Sequence, residues 1–167
     1  MAAFIAWILI ISSILPGNVA LHRPTAQSSN YSNTLYLSTA AVDGVTGHTL
    51  ETPCTRTAED GNSDPFWTVT LDQPYWIYRF TIYNRHENCE KQEACGARLN
   101  GFTVSVGDSS GAYTTCYQDS TTSTDGPGDV IKETCSSPVL GNTVKISLSS
   151  DKILTLCEVL IYGKYLL

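Results

Sequence analysis

Hydrophobic residues beyond the first twenty positions come in short runs of period two, and no long stretch follows the 3.6-residue period of a helix. Clusters of Gly, Asp, Asn, Pro and Ser separate the runs, and this pattern predicts an all-β domain. The predicted inward faces carry Trp67, Val69 and Leu71; Tyr78, Phe80 and Ile82; Phe102, Val104 and Val106; Val144, Ile146 and Leu148; and Leu154, Leu156, Leu160 and Tyr162.

Glu158 breaks the last of these patterns, because it stands among the apolar residues of one predicted strand face. A buried carboxylate is costly unless it is paired, capped or bound to a cation. We therefore treat Glu158 as a candidate cation ligand, with a salt bridge to an arginine or lysine as the alternative.

The N-terminal residues MAAFIAWILIISSILPG form an apolar run that ends at a Pro-Gly pair, and the first charged side chain is Arg23. This predicts a secretory signal peptide in residues 1–17 and one domain in residues 18–167. An uncleaved membrane anchor is the alternative, but the run is shorter than the ~20 residues that a spanning helix needs. No later segment is apolar enough to span, so we expect a secreted, extracellular protein without membrane insertion.

Composition narrows the function further. The formal net charge of the 167 residues is −6, and no basic stripe is present, which argues against nucleic acid as a partner. The chain has six cysteines, which in a secreted protein predict three disulfides, although six cysteines allow 15 pairings. The tripeptide Asn30-Tyr31-Ser32 predicts an N-glycan on Asn30. No catalytic motif stands out, since the sequence lacks G-x-S-x-G, zinc-ligand spacing and a phosphate loop, and we therefore expect no enzyme.

Seven segments carry a resemblance to a known family when they are taken in chain order: NVALHRPTAQSS, AAVDG, CTRT, DPFWTVTLD, NR, CGARLNGFTVSVG and LTLCEVLIYG. Together they resemble the F-type lectin (fucolectin, fucose-binding lectin) family and, more distantly, the discoidin-type domains of coagulation factors. The resemblance covers residues 18–167. It implies a jelly-roll β-sandwich of the galactose-binding-domain type, with a calcium ion and a sugar pocket among long loops at one end.

The resemblance also implies a disulfide pattern of Cys54 with Cys157, Cys116 with Cys135, and Cys89 with Cys95. In the family the last two cysteines are adjacent and pack against the sugar, whereas here the residues EKQEA separate them. Two other roles for this pair are weak, because no further cysteine or histidine pair completes a zinc site and the spacing is not that of Cys-x-x-Cys redox centres. A rigid sugar pocket is the favoured interpretation.

Arginines dominate the sugar site that the resemblance implies. Arg85-His86-Glu87 matches the family's Arg-x-Asp, Arg98 matches its second basic residue, and Arg56 stands where the family has histidine. The planar guanidinium donates two hydrogen bonds to neighbouring hydroxyls, and Glu87 is expected to orient the arginines. Arg56 can only donate and adds a third positive charge, so a sulfated or sialylated glycan is an alternative ligand.

Calcium is the cofactor that the resemblance implies. Asp43 and Glu158 match its carboxylate ligands, and backbone carbonyls are expected from Ala40, Val45, Pro53 and Cys157. Oxygen ligands of this kind suit Ca²⁺. The ion is expected to hold the long loop that carries Arg56, and thus to be structural.

The sequence therefore predicts a secreted, calcium-containing lectin that binds terminal fucose or a related glycan on cell or microbial surfaces, for innate recognition or cell adhesion. A single shallow site binds weakly, so avidity is expected to come from a homo-oligomer. The alternative function is a lectin-like domain that has lost fucose binding and acts as a protein-protein or gamete-adhesion module through residues 87–94.

Overall fold

The computed structural model describes residues 17–47, 54–59, 64–87, 95–108, 110–124, 126–149 and 152–165. Short 3₁₀ helices cover Ser38–Val42 and Cys95–Leu99. All strand pairs are antiparallel. The strands are β1 (Thr25–Gln27), β2 (Phe66–Tyr83), β3 (Thr103–Gly107), β4 (Tyr113–Gln118), β5 (Val130–Ser147) and β6 (Glu158–Lys164).

Strands β2 and β5 are long, and each contributes to both layers of a β-sandwich. Residues 66–70 of β2 pair with β1 and with residues 143–147 of β5, and β3 and β4 follow on the far side of β5. Residues 75–83 of β2 pair with residues 130–141 of β5 and with β6. The register shifts between Thr70 and Tyr75 mark the passage from one layer to the other. The predicted all-β sandwich is confirmed.

The core lies between these layers. Phe80, from the second layer, contacts Phe102 and Tyr117 of the first, with ring centroids 6.3 and 5.4 Å apart. Because aromatic pairs prefer edge-on packing at such distances, this cluster joins the layers near their centre. Most of the predicted inward residues are buried here, including Trp67, Val69, Leu71, Phe80, Ile82, Phe102, Val104, Val106, Val144, Ile146, Leu148, Leu154 and Leu156.

Two predicted strand faces are wrong in part. A register shift between Ile77 and Arg79 turns Ile77 into the core and leaves Tyr78 half-buried. In β6, Val159 and Ile161 are fully buried, and it is they that belong to the core. Leu160 and Tyr162 are half-buried on the opposite face. In β2 the pattern was extended through the register shift, which reverses the face of each following residue. In β6 it was extended from Leu154 and Leu156, which precede the strand.

The N-terminal part of the domain closes the side of the sandwich between β1 and β6. Ile161 donates its backbone N–H to Asn18 Oδ1 at 2.9 Å, and its carbonyl accepts a bond from Val19 N at 2.9 Å. Trp67 Nε1 donates to the Ser38 carbonyl at 2.8 Å, which fixes the 3₁₀ helix on β2. Among the described residues, no helix has the length and apolar character needed to cross a bilayer.

Two disulfides lock this architecture. Cys54 is bonded to Cys157, and Cys116 of β4 is bonded to Cys135 of β5, as the family pattern predicted. The third predicted disulfide, Cys89 with Cys95, is described only at one end. Cys95 is disulfide-bonded, but Cys89 lies outside the described residues.

Candidate functional site

The candidate sugar site lies at the end of the sandwich where β2 ends and β6 begins. Cys157 N donates to the Tyr83 carbonyl at 2.9 Å, so the start of β6 is fixed beside the last residue of β2. The disulfide then ties Cys157 to Cys54. Since Arg85 follows Tyr83 by two residues and Arg56 follows Cys54 by two, both arginines are carried to this end of the molecule.

The segment around Arg56 runs beside residues 154–157 like an additional strand. Thr55 and Thr57 donate their backbone N–H groups to the carbonyls of Leu156 and Leu154, at 2.7 and 3.1 Å. The two threonine hydroxyls accept the N–H groups of the same leucines, at 3.0 and 2.9 Å. This ladder makes the backbone on either side of Arg56 rigid.

Arg56 is buried, with 8% of its surface exposed. Its Nη2 pairs with Glu59 Oε1 at 2.5 Å, and its guanidinium carbon lies 3.7 Å from the centre of the Tyr31 ring. Arg56 Nε is buried and has no hydrogen-bond partner among the described residues. The guanidinium is therefore held by an acid and an aromatic face while one of its donors remains unused.

Arg85 is held in a similar way and is 7% exposed. Its Nε contacts Glu87 Oε1, which leaves the two terminal amino groups of the guanidinium for other partners. Asn84 Oδ1 accepts the Arg85 backbone N–H at 2.9 Å and so fixes the residue from the other side. Glu87, expected from the sequence to orient the arginines, contacts Arg85.

Asn84 is buried and joins three segments of the site. Its Nδ2 donates to the carbonyls of Gly96 and Gly128, at 3.1 and 3.2 Å, and its backbone N–H donates to the Asp129 carbonyl at 2.8 Å. The two segments touch at Gly126, which has φ +88° and where a Cβ would collide with the Gly96 carbonyl. Only glycine fits there, because both the backbone angle and the space exclude a side chain.

Arg98 is half-buried and lies in the 3₁₀ helix Cys95–Leu99. This helix is attached to Asn84 through the Gly96 carbonyl, which accepts a hydrogen bond from Asn84 Nδ2. Cys95 N donates to the Glu87 carbonyl at 3.0 Å, so this helix begins directly beside the Arg85 segment. Backbone and side-chain contacts thus join Arg85, Glu87 and the helix that carries Arg98, and the Cys54–Cys157 disulfide places the Arg56 segment at the same end. The intervening residues 88–94, which include Cys89, lie outside the described residues.

The charge balance of this end differs from the one expected from the sequence. From the sequence, three arginines left a sulfated or sialylated glycan as an alternative to fucose. In the structure Arg56 is paired with Glu59 and Arg85 with Glu87, so the positive charges of these two arginines are compensated within the protein. The guanidinium groups can therefore still donate hydrogen bonds, but their electrostatic attraction for an anionic ligand is weakened.

The predicted calcium ligands Asp43 and Glu158 lie close to each other beside this end. Glu158 is only 1% exposed, and its Oε2 accepts the Gly44 N–H at 3.2 Å, from a turn in which Gly44 has φ +86°. Asp43 is exposed, and its Oδ1 accepts the Val45 N–H at 2.8 Å. Glu158 is buried under this turn, on the face of β6 opposite to the core residues Val159 and Ile161. The prediction that Glu158 lies among the apolar residues of the core face was therefore wrong.

Burial raises the pKa of Glu158 to about 7, and the negative charge of Asp43 adds to the rise. Among the described residues, no arginine, lysine or histidine forms an ion pair with Glu158, which removes the salt-bridge alternative within that part of the chain. Two adjacent carboxylates, one of them buried, form an environment that a divalent cation would neutralise.

The other predicted ligands are backbone carbonyls. Ala40, Val45 and Cys157 are described and belong to the two segments that carry Asp43 and Glu158, whereas Pro53 lies outside the described residues. No group of three or more His, Cys, Asp or Glu side chains is arranged for a metal in the described part of the chain. A cation here would therefore rest on two carboxylates and on carbonyl oxygens, a ligand set that fits Ca²⁺ better than zinc.

Comparison with known proteins identifies the family of this chain. A family model described as a NedA-like, galactose-binding domain matches residues 40–146. Fucolectin-5 of Anguilla japonica is 32% identical over 147 residues, which are 85% of this chain and 74% of that protein. The chain belongs to the F-type lectin, or fucolectin, family. The resemblance seen in the sequence is confirmed.

Two further fucolectins match. Fucolectin-6 of Anguilla japonica is 33% identical over 106 residues, which cover 64% of this chain and 52% of that protein. The crystal structure of a fucolectin from the serum of Morone saxatilis (striped bass) superposes with a TM-score of 0.74 and 31% identity, over 88% of this chain and 48% of that one. The chain thus spans about half the length of these two relatives. Fold and relatives are those of lectins and carbohydrate-binding modules, not of enzymes.

Three residues that contact the arginines of this candidate site were not found from the sequence. Tyr31 was noted only as part of a glycosylation tripeptide, and nothing local indicates that its ring covers Arg56. Glu59 follows Arg56 by three residues, and this spacing could have suggested the ion pair. Asn84 appeared within the NR motif, but its role depends on segments 12 and 44 residues away, which no local pattern reveals.

Proposed function

We propose that this fucolectin is a secreted, calcium-containing lectin that binds terminal fucose or a related glycan without chemical conversion. The observation that carries the proposal is the pair of buried guanidinium groups, Arg56 and Arg85, held at one end of the sandwich by acids of the same chain.

Rigid donors are what a sugar site requires. A sugar in water already has its hydroxyls hydrogen-bonded, so binding is favourable only where the protein offers donors that need no further ordering. The Thr55–Thr57 ladder fixes Arg56 and the Asn84 contacts fix Arg85, so little side-chain entropy remains to be lost. The guanidinium fork can then engage two neighbouring hydroxyls, or a hydroxyl and the ring oxygen.

Fucose is the preferred ligand class for two reasons. The relatives named above are fucolectins, and the sequence resemblance assigns Arg85 and Arg98 to the basic positions of the family's sugar motif. In addition, Glu59 and Glu87 compensate Arg56 and Arg85, so a neutral sugar is expected to bind at least as well as a sulfated or sialylated one. Arg56 can only donate, which selects hydroxyls that act as acceptors.

Calcium is proposed as the structural ion of the site, held by Asp43 and Glu158 with carbonyls of Ala40, Val45, Cys157 and Pro53. When bound, it would supply the positive charge that the two carboxylates lack. It would then hold the turn at Gly44 against the start of β6, next to the disulfide that leads to Arg56.

Secretion is supported by the predicted signal peptide in residues 1–17 and by the disulfides Cys54–Cys157 and Cys116–Cys135. A role in innate recognition or adhesion would follow from glycan binding at cell or microbial surfaces. A homo-oligomer would convert weak single-site binding into useful avidity.

A glycan array tests this proposal. Calcium-loaded protein is expected to bind fucosylated glycans and to be displaced by free L-fucose, with no preference for sulfated forms. Correctly folded, calcium-loaded protein that binds no glycan on the array would contradict the proposal. It would shift the function to the alternative of a protein-binding module that uses residues 87–94.

A further inference from the structure

The N-glycosylation tripeptide Asn30-Tyr31-Ser32 lies on the segment that covers Arg56. Asn30 is exposed, and its Oδ1 accepts a hydrogen bond from Gln27 Nε2 at 2.8 Å. Asn30 Nδ2, the atom to which a glycan would be attached, has no hydrogen-bond partner among the described residues. The acceptor amide is thus presented to solvent in an ordered orientation.

This amide is connected directly to the arginine site. Gln27 Nε2, which orients Asn30, also donates to the Arg56 carbonyl at 3.2 Å. The next residue, Tyr31, donates its backbone N–H to the same carbonyl at 3.2 Å and places its ring 3.7 Å from the Arg56 guanidinium carbon. The attachment point therefore stands one residue away from the aromatic ring that covers the proposed sugar site.

The third residue of the tripeptide is in a regular turn. Ser32 Oγ accepts the backbone N–H groups of Thr34 and Leu35, both at 3.3 Å. Since Asn30, Thr34 and Leu35 are all exposed, the turn projects from the surface and leaves room for a transferase and for the glycan.

We propose that Asn30 carries an N-linked glycan that limits the access of large ligands to the arginine site. The transfer uses a lipid-linked diphosphate oligosaccharide as co-reactant: the bond from the sugar's anomeric carbon to the diphosphate oxygen breaks, a bond to Asn30 Nδ2 forms, and the amide gives up one proton. Only the binding readout of this proposal rests on the proposed sugar-binding function.

The expected consequence depends on ligand size. A hydrated, mobile glycan beside Tyr31 excludes a glycoprotein or a branched oligosaccharide more strongly than it excludes a free monosaccharide. Glycosylation would then select for terminal sugars that project far from their carrier, by steric exclusion and without a change in the contacts of Arg56 or Arg85.

The test uses the full chain produced in a eukaryotic secretory host. Peptide mapping by mass spectrometry shows whether Asn30 is modified. Part of the sample is treated with an endoglycosidase that leaves a single N-acetylglucosamine, so that Asn30 itself is not altered. Ser32→Ala, which removes the glycosylation signal and keeps Asn30, is the matched control.

Two readouts separate this inference from the proposed function. Binding of a fucosylated glycoprotein should rise at least about twofold after trimming, while free L-fucose changes less. Independently of any sugar, Tyr31, which is 47% exposed, should be nitrated more slowly in the glycosylated form than in the trimmed form.

The outcomes are distinct. An unmodified Asn30, or equal Tyr31 reactivity together with equal glycoprotein binding before and after trimming, overturns the inference. If neither form binds fucose or the fucosylated glycoprotein, the proposed function fails, and the nitration of Tyr31 alone then decides whether the glycan shields this surface.

Discussion

The arginine site and the Asp43/Glu158 pair lie at the same end of the molecule, yet their charges are balanced in opposite ways. Each buried arginine has an acidic partner supplied by its own segment, Glu59 for Arg56 and Glu87 for Arg85. Glu158 has instead a second carboxylate nearby, and burial raises its pKa to about 7.

This difference indicates which site is complete without a ligand. The charges of the two buried arginines are compensated and their segments are rigid, so the arginine site has its binding geometry before a ligand binds. The carboxylate pair is under electrostatic stress, which either a proton or a cation relieves. A proton or a cation from solution would therefore stabilise the Asp43/Glu158 pair, and the disulfide between Cys54 and Cys157 joins the segment next to Glu158 to the segment that carries Arg56.

Removal of that disulfide should break both sites together. The Cys54→Ala/Cys157→Ala variant opens a loop with a sequence separation of 103, and chain entropy predicts a loss of about 4 to 5 kcal/mol in the free energy of unfolding. Urea denaturation measures this loss, and calcium stabilisation and sugar affinity should fall with it.

The second disulfide provides the matched control. Cys116→Ala/Cys135→Ala opens a separation of only 19, with an expected loss of about 3 kcal/mol. In the molecules that remain folded, sugar affinity should be preserved. Equal damage to sugar binding in both variants would argue against a special link through Cys54.

The Glu158→Gln variant tests the carboxylate pair through the pH dependence of folding stability. The folded pKa of about 7 lies above the unfolded value of 4.5, so the folded state binds the extra proton between these values. In a chelator, wild-type stability should be full below pH 4.5 and should fall as the pH rises through 7, by up to about 3 kcal/mol.

The glutamine variant should not show this fall, and at pH 8 in chelator it should be more stable than the wild type. Calcium should restore the wild type at pH 8 and leave the variant unchanged. Thermal melting at pH 5 and pH 8, with and without calcium, distinguishes the two. A wild type whose melting temperature in chelator does not depend on pH would remove the basis for the cation proposal.

Asn84→Ala tests the rigidity of the arginine site and should have the smallest effect on stability. The carbonyls of Gly96 and Gly128 would lose their common donor, at a cost of about 1 to 3 kcal/mol. We expect faster hydrogen exchange in the Arg85 segment and weaker sugar binding, with unchanged calcium stabilisation. Asn142→Ala, on β5, serves as the control substitution.

Much of the fold could be predicted because period-two alternation reports directly which face of a strand is buried. The prediction was wrong at Tyr78 because of the register shift in β2, which depends on the partner strands. It was wrong in β6 because the alternation of Leu154 and Leu156, which precede the strand, was continued into it. The alternation was nevertheless sufficient to predict the sandwich.

Less of the site could be predicted. The family motif indicated Arg56, Arg85 and Arg98, but their partners come from turns and distant loops. The contact of Tyr31 with Arg56 joins residues 25 positions apart, and no sequence period encodes it. The compensation of the arginines, which favours the expected neutral sugar over the anionic alternative, was therefore found only from the structure.

The most direct test of the account is a calorimetric titration of the calcium-loaded protein with L-fucose, in the wild type, Arg85→Ala and Arg79→Ala. Arg79 lies on β2, exposed and stacked 4.1 Å from the Tyr162 ring centre, so its removal changes the net charge equally and leaves the site intact. We predict that the wild type and Arg79→Ala bind alike and that Arg85→Ala loses at least about tenfold in affinity. The melting temperature of Arg85→Ala should also fall, because Glu87 loses its ion-pair partner. A wild type that does not bind L-fucose, or an Arg85→Ala variant that binds it as well as the wild type, would contradict the account.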